Sequence, residues 1–197
     1  MKGFIAALSL SSGLLASPTL AAAQIEKTET TQTAPAAPAA ALYQFSLAKL
    51  LSVEGSVPEA LSAYEEAERL APDAPYVRVE HAQLLARVGE YSRTPGTRQE
   101  YLRRAATKID EARQLAPENL DVLRAVGSIY LDLSLTEPAA QATAIAALEE
   151  VRRRDPADVP ASLSLGQIYL EHKNPEKAVE VLRDLVSRVP QQRVAYA

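Results

Sequence analysis

Between Ala41 and Pro190 the chain repeats one spacing of small and apolar positions four times. Ala60, Tyr64, Ala67 and Pro72 are separated by 4, 3 and 5 residues; Ala105, Ile109, Ala112 and Pro117 repeat those intervals. So do Ala144, Leu148, Val151 and Pro156, and again Ala178, Leu182, Leu185 and Pro190. Steps of 4 and 3 align side chains on one stripe of a helix. A proline five residues further on cannot continue that helix and marks its end.

A second group lies upstream of each such helix. It reads Leu47-Ala48 with Leu51, His81-Ala82 with Leu85, Val126-Gly127 with Tyr130, and Leu165-Gly166 with Tyr169. Large, small and large side chains at this spacing also share one helix face, and the small member admits a neighbouring helix. Pro72 to Ala82, Pro117 to Gly127 and Pro156 to Gly166 are each ten residues apart. The pattern therefore predicts four helical hairpins in constant register, covering residues 41–74, 75–119, 120–158 and 159–192.

The array resembles the tetratricopeptide repeat, whose signature is W-x2-L-G-x2-Y, then A-x3-F, then P over 34 residues. The fourth copy carries it best, with Leu165, Gly166, Tyr169, Ala178 and Pro190; the first is nearly as close, with Ser56-Val57-Pro58-Glu59-Ala60 as its inter-helix turn. Gln44, Arg78, Leu123 and Ser162 stand where the family has tryptophan, so the outer packing departs from the pattern. The resemblance implies an all-α, right-handed superhelical solenoid, with a concave groove lined by the first helix of each hairpin. Stacking is required because one hairpin cannot bury its apolar stripe alone.

Helix phase then nominates groove positions on the face of each first helix turned away from its large–small pair. These are Phe45, Lys49 and Ser52; Tyr76, Val79, Gln83 and Arg87; Asp121, Arg124, Ser128 and Asp132; and Leu163, Gln167 and Glu171. The mixture suits an extended peptide or a partner helix, with Tyr76 and Arg87 as the expected anchors. One branch of the family holds C-terminal carboxylates with lysine, asparagine and arginine. The matching positions here are Phe45, Lys49, Glu80, Asp121 and Ala125. Only Lys49 fits, and Glu80 and Asp121 repel a carboxylate.

Two copies are longer than the others. Counting from the small residue to the closing proline, copies one and four span 24 residues, copy two spans 35 and copy three 29. The additions fall between the helices of their hairpins. In copy two the extra segment lies near Tyr91–Arg98, with Pro95-Gly96 as a turn signal; it reads either as a binding loop or as a tolerated insertion. In copy three it lies near Ser134–Pro138, where Thr136 is placed to cap a lengthened helix.

Ahead of the array the pattern changes twice. Lys2, the apolar run Phe4–Leu15, Pro18 and Ala21-Ala22-Ala23 make residues 1–23 a signal peptide, too short to span a membrane. Residues 24–40, rich in Thr, Pro and Ala, show no apolar stripe and read as a disordered linker. The expectation is an exported chain, in a bacterial periplasm or otherwise secreted, with no stable membrane insertion once the signal is removed. Loss of Lys2 leaves 20 basic and 25 acidic side chains, net −5.

Composition narrows the chemistry. Mild acidity gives no reason to expect nucleic acid. There is no cysteine, which excludes disulfides, thiolate metal sites, cysteine nucleophiles and lipid attachment at cysteine. Of two histidines, His81 occupies a core position and His172 a helix end. The acidic run Glu65-Glu66-x-Glu68 reads as a solvated helix surface, and Arg152-Arg153-Arg154 as the last turn of a helix. No catalytic motif, metal site or cofactor site appears. The sequence thus points to a non-enzymatic scaffold or adaptor for a protein or peptide partner. The alternative is the N-terminal interaction module of a longer protein with an enzymatic or self-assembling role. Only seven residues follow Pro190, and Tyr196 stands at the family's tryptophan position. Residues 193–197 therefore read as the start of a fifth repeat, leaving Val181, Leu185 and Val189 as an uncapped apolar face for self-association.

Overall fold

The computed structural model describes residues 37–188; the expected signal peptide, most of the expected linker, Val189 and the start of a fifth repeat lie outside them. Eight α-helices occupy the described residues: α1 (Ala37–Glu54), α2 (Val57–Leu70), α3 (Pro75–Glu90), α4 (Pro95–Leu115), α5 (Leu120–Ser134), α6 (Gln141–Arg154), α7 (Val159–Glu171) and α8 (Pro175–Arg188). They pair in order as four hairpins and stack as an all-α solenoid. Helix α1 begins at Ala37, inside the segment the sequence assigned to the linker through residue 40.

The repeated pattern is the core. Ala60, Ala105, Ala144 and Ala178 are all buried, as are Tyr64, Ile109, Leu148 and Val151. Three apolar clusters run along the stack, and the middle one joins α3, α4, α5 and α6 through Val79, Leu85, Leu102, Ile109, Val126 and Ala147. Side-chain caps set the starts of α4, α5 and α7. Asn119 accepts hydrogen bonds from the amides of Asp121 and Val122 at 2.9 and 3.2 Å, and Asp158 accepts one from Ala161 at 2.8 Å. Helix α1 ends in Gly55 with φ +84°; at the equivalent corner after α7 stands Lys173 with φ +54°.

The long copies differ from expectation. Copy two has no long loop. Two of its extra residues extend α3, two widen the connector to Tyr91–Thr94, and seven lengthen α4 to 21 residues against 14 in α2, α6 and α8. Thr94 caps α4, and Pro95-Gly96 opens the helix instead of turning the chain. In repeat register the added helical residues are 95–101, since Leu102 matches Val57 at the start of α2; they pack Tyr101 against the middle cluster and lie close over Gly89 of α3. Arg103 also pairs with Glu137 of the copy-three connector, and Gln99 donates to the same carboxylate at 3.2 Å. The two insertions therefore support each other. Thr136 is not a cap: its hydroxyl donates back to the Leu133 carbonyl, and a short 3-10 turn, Pro138–Ala140, leads into α6.

Two further expectations change. Val181 and Leu185 are buried, so the apolar side chains that α8 exposes are Val179 and Val186. Glu68 is not on the surface. It is buried between α3 and α4, with His81 Nδ1 2.7 Å from one carboxylate oxygen and Lys108 Nζ 2.7 Å from the other. An ionised carboxylate only accepts, so His81 carries its proton on Nδ1. Burial works to raise the Glu68 carboxyl, but the hydrogen bonds from His81 and Lys108 outweigh it and hold the carboxyl below its ordinary value. His81 is otherwise core, stacked on Tyr64 with 5.5 Å between rings.

Candidate protein-binding groove

The first helices carry a continuous concave face. Its main hollow has a volume of about 740 Å³ and is lined by α1, α3, α5 and the first turn of α7. Phe45 and Lys49 come from α1; Pro75, Tyr76, Val79, Glu80 and Gln83 from α3. Asp121, Val122, Arg124, Ala125 and Ser128 come from α5, with Asn119 at its cap and Pro160 from α7. Eight of the nominated positions thus meet in one hollow: Phe45, Lys49, Tyr76, Val79, Gln83, Asp121, Arg124 and Ser128. Arg87 and Asp132 line an adjoining hollow of about 230 Å³ that shares Gln83 and Ser128 with the first. Leu163, Gln167 and Glu171 line neither hollow; Gln167 donates to Glu171 at 3.0 Å on the exposed face of α7.

The wall has an aromatic corner. Phe45 meets Tyr76 edge-to-face with 5.2 Å between ring centroids and meets Tyr64 at 6.1 Å. Tyr64 is buried beneath them, so Phe45 is braced, while Tyr76 stays half exposed. Val79 is buried and supplies floor. A rigid, partly open aromatic surface gives large contact area for little ordering entropy.

The charges are largely committed. Lys49 Nζ lies 2.8 Å from Glu80 and 5.8 Å from the Phe45 ring centre. Arg124 binds Asp121 at 2.7 Å, Asp158 at 2.5 Å and Asp155 at 3.4 Å. Asp158 is buried and also caps α7, so Arg124 ties α5 to the corner between α6 and α7. That nominated side chain acts first as a joint between hairpins. The hollow balances Lys49 and Arg124 against Glu80 and Asp121, and it holds no unpaired cation for a terminal carboxylate.

Phase alone found the mid-helix positions but did not select Pro75, Glu80, Asn119, Val122, Ala125 and Pro160; of these, Glu80 and Ala125 were singled out only as positions that match the carboxylate-holding branch. The prolines and Asn119 sit at helix starts, where the capping signal was legible but the convergence of three helix ends was not. Val122 and Ala125 were outside the selected face and reach the hollow where α5 packs against α3.

Tyr130 and Tyr169, at the signature tyrosine position, latch successive hairpins. Tyr130 donates to Asp110 at 2.5 Å and Tyr169 donates to Glu149, each partner lying 20 residues earlier. Burial first, and then the neighbouring carboxylate, push both phenols up to about 12. Among the described residues, no helix is long and apolar enough to cross a membrane.

The tetratricopeptide repeat family profile matches residues 139–197. No curated protein sequence matches the chain. Among solved structures, the MamA RS-1 ArsTM double mutant superposes with a TM-score of 0.61 at 23% identity, covering 77% of this chain and 76% of that one. TTC0263, a thermophilic TPR protein of Thermus thermophilus, gives 0.56 at 18% identity over 75% and 73% of the two chains. The first TPR of Spaghetti (RPAP3), bound to the HSP90 peptide SRMEEVD, gives 0.56 at 17% over 68% and 94%. With four hairpins in constant register and the family profile matched over residues 139–197, the chain has the fold of a tetratricopeptide repeat solenoid.

Proposed function

We infer that this protein is an interaction module that takes a segment of another protein along the face of α1, α3 and α5. The observation that carries this reading is the braced Phe45–Tyr76 corner opening into a hollow lined by first helices alone. A similar fold, RPAP3, holds a peptide. Recognition here differs from capture of a C-terminal carboxylate, because Glu80 occupies Lys49 and Asp121 faces the same space. The partner segment is internal, with an apolar or aromatic side chain seated against Tyr76. The leader-like residues 1–23 support an exported setting, most simply a bacterial periplasm, and the array supports a scaffold or adaptor role over catalysis.

A photo-crosslinking amino acid at Tyr76 should trap a defined partner in the exported compartment, while one at exposed Leu135 on the copy-three connector should not. Tyr76→Ala should weaken that capture about tenfold or more at unchanged melting temperature, as expected for an aromatic anchor. A partner peptide should bind equally with a free or an amidated C-terminus. Strict dependence on the free carboxylate would refute this mode of recognition.

A further inference from the structure

The outer edge of α1 is built like an internal surface of the array, but among the described residues no hairpin lies in front of it. Tyr43 and Leu50 of α1 correspond, in repeat register, to Val77 and Leu84 of α3, to Val122 and Ile129 of α5, and to Ala161 and Ile168 of α7. Those six are all buried by the hairpin that precedes them. Tyr43 and Leu50 are instead 63% and 55% exposed, and Leu42 and Val53 beside them 58% and 86%. Helix α1 therefore carries apolar side chains on its outer edge as well as on the edge packed against α2, the pattern of a helix covered on two sides.

We propose that this edge is covered by the same edge of a second copy, α1 packing antiparallel on α1 about a two-fold axis at Ser46. Three features of the stripe select that occupant. Around Ser46 the register is self-complementary: Leu42 of one copy meets Leu50 of its partner, and Ala39 meets Val53. The stripe is free of charge, because Lys49 at its border is turned into the groove to bind Glu80. A small residue at the centre lets the two helices approach closely.

Other occupants match less well. The outer face of α8 presents Glu176, Glu180, Arg183 and Asp184 around Val179, and an uncharged stripe pressed on it would desolvate those charges and offer them no new partner. Residues 24–36 contain Ile25 as their one large apolar side chain and carry Glu26, Lys27 and Glu29, so they have no stripe to offer. One helix per copy is less than the about 800 Å² per partner of a standard interface, so the dimer is dynamic and forms at roughly micromolar or higher concentration. The groove stays open in it, since Phe45 and Tyr76 lie on a different face.

The chain has no cysteine, which permits a direct test. Ser46→Cys in the otherwise native protein should oxidise to a covalent dimer, because the two-fold brings its Cα atoms within the about 7 Å a disulfide spans. Val186→Cys, equally accessible on α8, should remain monomeric under the same conditions. By sedimentation, the native protein should show a concentration-dependent dimer, and Leu50→Glu should abolish it with melting temperature and helicity unchanged. Crosslinking through Val186 at an equal or greater rate than through Ser46 would overturn the proposal in favour of the C-terminal edge or of random collision. A native chain that stays monomeric at several hundred micromolar, or a Leu50→Glu variant that still dimerises, would overturn it as well.

Discussion

Gly127 and Gly166 occupy the same repeat position, yet the structure separates what an added methyl group would do at each. A Cβ on Gly127 would lie 2.5 Å from Leu148 Cδ2 and 2.6 Å from its Cγ. Normal carbon contacts are about 3.5–4.0 Å. The clash involves the branch point of a buried leucine, so the whole Leu148 side chain must adopt another rotamer inside a packed cluster. Overpacking of this kind costs about 1–3 kcal/mol, while alanine recovers about 0.8–1 kcal/mol of helix propensity over glycine. The balance for Gly127→Ala is a loss centred near 1 kcal/mol, or about 2–4 °C in melting temperature for an array of this size. At Gly166 the nearest atom, Leu182 Cδ2, is 3.0 Å away on a half-buried side chain that can give by a few tenths of an ångström. There the helix-propensity gain prevails, and Gly166→Ala should be neutral or stabilising by up to about 0.5 kcal/mol. Urea titrations monitored by circular dichroism would measure both. A cycle with Leu148→Ala isolates the contact: that truncation alone costs about 2–5 kcal/mol, and it should cost at least 1 kcal/mol less, roughly, when residue 127 is already alanine. Additivity within about 0.5 kcal/mol, or a Gly127→Ala variant as stable as the native chain, would refute the packing argument.

Three further outcomes are expected. Lys173→Gly should raise stability by up to about 1 kcal/mol, because Lys173 holds φ +54° where copy one has Gly55; an unchanged urea midpoint would show that the corner is not strained. Tyr130 and Tyr169 keep their protons up to about 12 in the fold, whereas an unfolded tyrosine loses its proton near 10. Stability should therefore fall as pH rises from about 10 to 12, and Tyr130→Phe should flatten part of that fall while costing about 1 kcal/mol at neutral pH. The folded Glu68 carboxyl sits below its ordinary value of 4.5, so its contribution is complete above that value and is lost as pH falls through it toward the folded value. Glu68→Gln should cost about 1–3 kcal/mol at pH 7 and shrink the acid-side loss in urea titrations at successive pH values; an unchanged acid limb would exclude Glu68 as its source.

The sequence by itself determined the hairpins and their register. Helix periodicity and proline punctuation are local, so the burial of Ala60, Ala105, Ala144 and Ala178 could be read directly from their spacing. The groove-facing side of each first helix followed from the same phase, and Phe45, Tyr76, Val79 and Gln83 do converge. What needed the tertiary structure were contacts between residues that the stacking alone brings together. Glu68 reads as one of a run of surface acids until its neighbours His81 and Lys108, 13 and 40 residues away, are in place. Arg124 reads as a free groove cation until Asp158, 34 residues on, takes its guanidinium. The eleven extra residues of copy two carry a turn signal, Pro-Gly, that is equally a helix start; packing of Tyr101 on the middle cluster and the bond from Gln99 to Glu137 of the next hairpin favour helix. The inward turn of Val181 and Leu185 was settled the same way. A helical stripe fixes which residues share a face, but the neighbour that face meets depends on the rotation and tilt of each hairpin on the last, and those are set by packing across the whole stack.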